Sequence, residues 1–275
     1  MNDEEFQYLK DQIRTFAGLD LDGYKQQQIR RRLEGYVQRV TSGDVQAYCD
    51  ILKQDRGQSR DLVDYLAINV SEFFRDPAYF TYIRNEVLPK LKRLPGRLNI
   101  WSAACSCGQE PYSLTILLEE NGFSGRYRIL ATDIDTSALE KARQGGPYGL
   151  QDVRNLEPGL LNKYFKRSGD AFHVDPRLAG PIQFRMHNLQ SDRYERGYDF
   201  IVCRNVIIYF SEAVRNHIFS QFHQALSPGG ILFIGGSEAI LRPADFGFEV
   251  IRPSFYRKIQ QVNPAPALTG IAERR

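Results

Sequence analysis

Arg97-Leu98-Asn99-Ile100-Trp101-Ser102-Ala103-Ala104-Cys105-Ser106-Cys107-Gly108-Gln109-Glu110-Pro111-Tyr112-Ser113 is the stretch on which the reading of this chain turns. It starts as a short apolar run after Pro95-Gly96, passes through a loop of small residues and enters a segment of helix length. A strand, a tight loop and a helix in that order describe the first unit of an α/β fold. Tyr127 to Thr132, Asp199 to Cys203 and Gly230 to Gly235 are further apolar runs. Helix-length segments separate the first two of the four runs and the last two. Strands alternating with helices predict a mostly parallel sheet covered by helices on both faces.

Upstream the rhythm is different. Phe6, Leu9, Ile13 and Phe16 recur at three- and four-residue spacing, and Ile29, Leu33, Tyr36, Val37 and Val40 do the same. Each set marks one apolar stripe on a helix. No Pro or strand-like alternation interrupts this part before Pro77. An all-helical domain over 1–94 is therefore expected, followed by the sheet domain over 95–261. Between Pro158 and Asn188 the alternation fails. Asp170 to Val174 and Pro181 to Met186 read as short strands flanked by Gly and Pro, which suggests a small antiparallel excursion, a β subdomain at 158–188. The last residues, 262–275, carry Pro264, Pro266 and Gly270 and are expected to form a flexible tail.

With 275 residues, 42% hydrophobic and 25% charged, the chain has an ordinary globular composition and room for two modest domains. No apolar run approaches the ~20 residues of a membrane helix, and Met1-Asn2-Asp3-Glu4-Glu5 lacks the character of a signal peptide. A cytoplasmic protein without stable membrane insertion is the expectation. Cys49, Cys105, Cys107 and Cys203 are too scattered for a disulfide framework, and Cys105-x-Cys107 lacks the second ligand pair of a metal site. The four histidines show no ligand spacing, so no metal is expected. A net charge of +3 is too mild to argue for nucleic acid.

Ligands of open α/β sheets sit beyond the carboxyl ends of the strands, so residues just after each strand carry the chemistry. The loop after the first run has neither Gly-x-Gly-x-x-Gly nor Gly-Lys-Ser/Thr, which speaks against a dinucleotide or a nucleoside triphosphate. Glu110 would repel a pyrophosphate and pair with an ammonium. After the second run stand Asp133 and Asp135. Either could accept the two hydroxyls of a ribose or cap the helix ahead of Ser137, with Asp133 the better ribose candidate and Asp135 the better cap. An amino-acid ammonium at one end and a ribose at the other describe S-adenosylmethionine.

Asn69-Val70-Ser71-Glu72-Phe73-Phe74-Arg75, Trp101 through Ser113, Ala131 through Thr136, Asn188-Leu189 and Cys203-Arg204-Asn205-Val206-Ile207-Ile208-Tyr209-Phe210 occur in order along the chain. With these strings the sequence resembles the chemotaxis protein methyltransferases, the CheR family, from near the N-terminus to about Ile259. The resemblance implies a Rossmann-like S-adenosylmethionine-dependent methyltransferase sheet. It also implies methyl transfer to glutamate side chains of chemoreceptors, with S-adenosylhomocysteine as product. By the same resemblance Glu110 binds the methionyl amino group, Asp133 the ribose, and Asn188 and Leu189 the adenine. Ala103 lines the loop, Arg204 and Asn205 flank the methionine portion, and Arg75 and Tyr209 hold the substrate carboxylate. Cys105 and Cys107 depart from the family pattern, where alanine, serine or threonine is more usual.

The chemistry asks little of the protein. A glutamate carboxylate, with a pKa of ~4.3, is ionised at neutral pH, so the reaction needs alignment and no general base. Arg75 can hold a carboxylate by two parallel hydrogen bonds, and Tyr209 can add a third donor. The bland readings are a surface ion pair for Arg75 and a core aromatic beside Phe210 for Tyr209.

Tyr24 through Val40 is predicted as a second helix bearing Lys25, Arg30, Arg31, Arg32 and Arg39, with Arg32 and Arg39 two turns apart on one face. Arg31, Arg32 and Arg39 are candidate docking residues for the acidic helical bundle of a chemoreceptor cytoplasmic domain, as the resemblance implies; a solvated face is the alternative. Nucleic acid is disfavoured, because the turn at 204–210 lacks Pro-Pro-aromatic and no aromatic-basic patch occurs elsewhere. Two other readings stay open: a methyltransferase for a small molecule or another protein, and a non-catalytic module that binds the cofactor as a signal.

Overall fold

The structure, a computed structural model, describes residues 1–67 and 71–259. The expected tail at 262–275 and Asn69-Val70 of the first family string lie outside the described residues. Four helices come first: α1 Asp3–Ala17, α2 Gln26–Thr41, α3 Val45–Gln54 and α4 Arg56–Leu66. Asn2 starts α1 with a capping box, accepting from the Glu5 backbone N–H while Glu5 accepts from its own, and Gly18 ends it in the left-handed region. The predicted stripes close into one core, where Leu9, Ile13, Leu33, Tyr36 and Tyr48 are at most 1% exposed, except that Phe16, in the last turn of α1, is exposed and lies outside it. Helix α2 begins two residues later than the periodicity suggests. Tyr24 and Lys25 are extended because they pair with the other half of the molecule, as described below.

Helix α5 (Pro77–Tyr82) runs through a π turn at Ile83–Val87 into α6 (Leu88–Leu91). Phe80, Ile83, Val87, Leu88 and Leu91 belong to the core beneath the sheet, with Leu98, Ile100 and Phe255, rather than to the core of α1–α4. The alternating region supplies β1 Leu98–Ala103, α7 Gln109–Glu120, β2 Tyr127–Asp133, α8 Thr136–Gln144, α9 Leu150–Val153 and α10 Pro158–Tyr164. After these come β3 Phe165–Ser168, β4 Ala171–Val174, β5 Ile182–Met186, β6 Tyr198–Cys203, α11 Glu212–Ala225, β7 Leu226–Ile234, β8 Phe248–Arg252 and β9 Phe255–Lys258.

Seven strands form one sheet in the order β5-β2-β1-β6-β7-β9-β8, the first five parallel and the last two antiparallel. The strand order reverses between β1 and β6, which opens a crevice at their carboxyl ends. Register decides what reaches that crevice. Ala103 stands level with Thr132 on one side and Cys203 on the other, and Cys203 is level with Ile234. The loops that follow four strands therefore leave the sheet at one height.

The strands at 158–188 pair differently from the expectation. Ala171–Val174 forms a two-stranded antiparallel sheet with Phe165–Ser168, whereas Ile182–Met186 joins the main sheet as a parallel edge beside β2. Polar Lys166-Arg167-Ser168 hides β3 from an apolar-run reading. Ile182 and Phe184 pack against Ala131 and Leu139, which draws β5 onto the sheet. Near its end the sheet is locked by Trp101, 1% exposed, whose indole N–H donates to Thr132 Oγ1 at 2.9 Å amid Tyr194, Tyr198 and Phe222.

Candidate active site

One cavity lies over the crevice, walled below by the loops after β1, β2, β5 and β6 and above by α2, α4 and the segment before α2. The loop after β1 bends sharply: Ala104, Ser106 and Gly108 have φ of 62, 48 and 91°. Gly108 is required for two reasons, its left-handed φ and a Cβ that would stand 2.8 Å from Ala142 Cβ. Ala103 itself is fully buried at the strand end, and the cavity wall begins with Ala104. Cys105 and Cys107 are free cysteines whose thiols burial pushes up in pKa, so small protonated side chains occupy the two departures from the family pattern.

Glu110 enters from the first turn of α7. It accepts from Ser102 Oγ at 2.8 Å and stands 3.8 Å from Arg204 Nη1. Burial raises its pKa, opposed by Arg204 and by the Ser102 bond. Arg204 is almost wholly buried. It pairs with Asp76 at 2.5 Å and lies over the rings of Phe233 and Tyr79, 5.0 and 5.7 Å from their centroids. Asp133 caps no helix. Its two oxygens accept from the backbone N–H of Ser106 at 2.7 Å and of Asp135 at 3.0 Å, and burial raises it to about 6 despite those bonds. Asp135 is the N-cap of α8, accepting from Ala138 N at 2.9 Å.

Asn188 and Leu189 follow β5 and line the cavity beside His187. Asn205 takes a left-handed φ of 61° directly after Arg204, and Ile207–Tyr209 forms a single 3-10 turn. Arg75 and Tyr209 both line the cavity. Burial raises the Tyr209 pKa, with Arg32 and Arg75 near enough to oppose the shift, so the phenol stays protonated and serves as a donor. Three cavity-lining side chains carry buried polar atoms without a partner among the described residues, Arg32 Nε, His187 Nε2 and Arg204 Nε.

Of the three docking candidates, Arg31 and Arg39 are exposed and off the cavity, while Arg32 is half-buried and lines it. Arg32 donates to the Tyr65 carbonyl, and both Arg32 and Arg39 stack on the Tyr65 ring, so they tie α2 to α4. Four contributors escape a reading of motifs: Tyr24, Lys25, Asp76 and Glu238. Tyr24 and Lys25 reach the site by pairing with the turn after β6. Lys25 N donates to Tyr209 O at 2.9 Å, Ser211 N donates to Gly23 O at 2.8 Å, and the rings of Tyr24 and Phe210 sit 5.0 Å apart. Glu238 follows β7 within Gly235-Gly236-Ser237-Glu238, so the rule of reading residues just past each strand would have found it.

The donor set suits a ligand with a cation near Glu110 and a diol near Asp133, and the orphaned polar atoms leave bonds for it to complete. Fold and crevice together define an α/β methyltransferase that takes S-adenosylmethionine. Residues 69–253 match the family described as CheR methyltransferase, SAM binding domain, and residues 4–67 match its all-alpha domain. The chain is 36% identical over 260 residues to a chemotaxis protein methyltransferase of Listeria monocytogenes, covering 93% of this chain and 98% of that one. It is 34% identical over 247 residues to chemotaxis protein methyltransferase 1 of Pseudomonas aeruginosa, covering 86% and 90% of the two chains. Against the chemotaxis protein methyltransferase of Escherichia coli the figures are 33% over 249 residues, 86% and 85%. The chain belongs to the CheR methyltransferase family.

Proposed function

We propose that this protein methylates glutamate side-chain carboxylates in the cytoplasmic domain of chemoreceptors, giving methyl esters. When bound, S-adenosylmethionine supplies a methyl group on a positively charged sulfur. Transfer of that carbon to a glutamate oxygen, with the C–S electron pair left on sulfur, would give a neutral ester and S-adenosylhomocysteine. Opposite charges cancel, so a site that excludes water favours the reaction. Helices α2 and α4 roof the crevice and serve that end.

The observation that carries the reading is the set of donors that lines the cavity together with the acidic loops. Arg75, Arg32 and Tyr209 offer donors there, and a carboxylate nucleophile needs donors and no base. Arg75 and Tyr209 hold the substrate carboxylate, and the benefit is orientation, because tight pairing alone would reduce nucleophilicity. In the same cavity Glu110 takes the methionyl ammonium and Asp133 the ribose. Asn188 and Leu189 line the adenine pocket, and Arg204 and Asn205 flank the methionine portion, with Ala103 at the base of the loop. The helices α1–α4 are the docking unit, with the exposed Arg31 and Arg39 facing the receptor and Arg32 bracing α2 against α4 at the cavity wall.

No described helix is long and apolar enough to cross a membrane, which fits work on receptor domains from the cytoplasm. Incubation with methyl-labelled cofactor and receptor cytoplasmic fragments tests the whole reading. Label released by mild base is expected; base-stable label, or no label on any receptor fragment, would refute it.

A further inference from the structure

The turn that presents Tyr209 hangs from one buried carboxylate. Glu238 is 6% exposed. Its Oε1 accepts from the backbone N–H of Ile207 at 2.8 Å and Ile208 at 3.3 Å, and its Oε2 accepts from Asn205 at 2.9 Å and Gly235 at 2.7 Å. Three of those four donors belong to the turn between β6 and Tyr209. Among the described residues no lysine, arginine or histidine is ion-paired with Glu238, so its charge is met by main-chain dipoles. Burying a carboxylate this way costs more than burying an apolar side chain of the same size. A role in packing alone would not require it.

The turn needs such a hold. Asn205 sits at a left-handed φ that a residue with a Cβ adopts only under constraint. From the far side the turn is gripped by Gly23 to Lys25 through the two backbone bonds at Tyr209 and Ser211. Tyr209 thus lies between a carboxylate clamp and an extended segment of the helical domain.

We infer that Glu238 is a positioning residue for methyl transfer, fixing the 205–208 backbone so that the Tyr209 phenol meets the substrate carboxylate. The inference rests on the substrate role given to Tyr209 above. Glu238 acts through the turn, since all four of its own bonds are made to backbone.

The test is a double-mutant cycle of Glu238→Gln and Tyr209→Phe, read as turnover at saturating cofactor and receptor fragment. An amide has one acceptor oxygen, so whichever way the new side chain turned, its NH2 would face two of the four donors and the turn would shift. Turnover is expected to fall about tenfold or more in protein that is folded by circular dichroism at the assay temperature. The double variant should be little worse than the poorer single one. Full turnover in folded Glu238→Gln, or losses that multiply, overturns the inference, because a merely stabilising residue would lower the melting temperature without coupling to Tyr209.

If Glu238→Gln does not fold, Gly235→Ala replaces it in the cycle. Its Cβ would stand 2.6 Å from Glu238 Oε2 and 3.2 Å from Asn205 N, wedging the clamp while keeping the carboxylate. Unchanged turnover in that variant also overturns the inference. A Tyr209→Phe single variant with full activity removes the role of Tyr209 itself and the inference with it, an outcome separate from a failure of Glu238 alone.

Discussion

Acidification from about pH 7.5 to about pH 5 should weaken the binding of S-adenosylhomocysteine roughly tenfold, about 1.4 kcal/mol. The group responsible is Asp133, raised by burial from 3.8 to about 6 in the ligand-free protein. A ribose that uses both oxygens as acceptors selects the ionised carboxyl, so affinity is complete above that value and falls with each proton gained below it. Glu110 is also raised, and protonating it removes the partner of the ammonium, so its contribution has the same sign. The sign for stability of the free protein is the opposite. A carboxyl raised above its unfolded value penalises the folded state at neutral pH, and the penalty is relieved as pH falls through about 6 towards 4. Calorimetric titration across this range, with Asp133→Asn beside the natural protein, provides the assay. His187 also lines the cavity and titrates below its ordinary value because it is buried, so the variant is needed to assign the effect. A flat dissociation constant, or the same slope in Asp133→Asn, would refute the assignment of the ribose to Asp133.

Glu110→Gln should weaken cofactor binding by about 1.5–3 kcal/mol through loss of a charge-assisted bond, read by calorimetry on folded protein. Arg75→Ala and Tyr209→Phe should lower turnover with nearly unchanged cofactor affinity, Arg75→Ala more severely; loss of cofactor binding in either folded variant would refute the division between substrate and cofactor residues. Arg31→Glu should raise the Michaelis constant for receptor more than it lowers the maximal rate, and added salt should weaken the natural protein more than the variant. Arg32→Glu should also cost melting temperature and turnover, because Arg32 braces Tyr65 and reaches the cavity.

Much of the fold could be read from the sequence because its strands are apolar runs buried on both faces and its first helices carry clean stripes. What was missed is polar or late. β3 is Phe-Lys-Arg-Ser and forms only by pairing across a two-residue turn, and β8 and β9 close an antiparallel edge where one face is open. The distinction between Asp133 and Asp135 could be drawn in advance, since a cap must reach the N–H three residues on and Asp135 stands three residues before Ala138 in the helix. Asp76 had no such marker, whereas Glu238 could have been found as the acidic residue just past β7. Each acts on a partner far along the chain, Asp76 from the start of α5 on Arg204 and Glu238 on the backbone of 205–208, which the register of β6 and β7 brings beside it.

Backbone pairing ties α2, the proposed docking helix, to the turn that carries Tyr209. Helix α2 starts at Gln26, one residue after Lys25 donates its N–H to Tyr209 O. The start of α2 and the turn that carries Tyr209 are therefore joined by two hydrogen bonds between backbone groups, the second from Ser211 N to Gly23 O, with the Tyr24–Phe210 ring contact alongside. A receptor helix that pulls on α2 acts on the same turn that Glu238 holds from beneath. Two anchors of different origin, one extended main-chain segment and one buried carboxylate, leave Tyr209 little freedom to be moved by docking. On the proposed reading, the helical part contributes affinity and exclusion of water, while the geometry of methyl transfer is set before the receptor arrives.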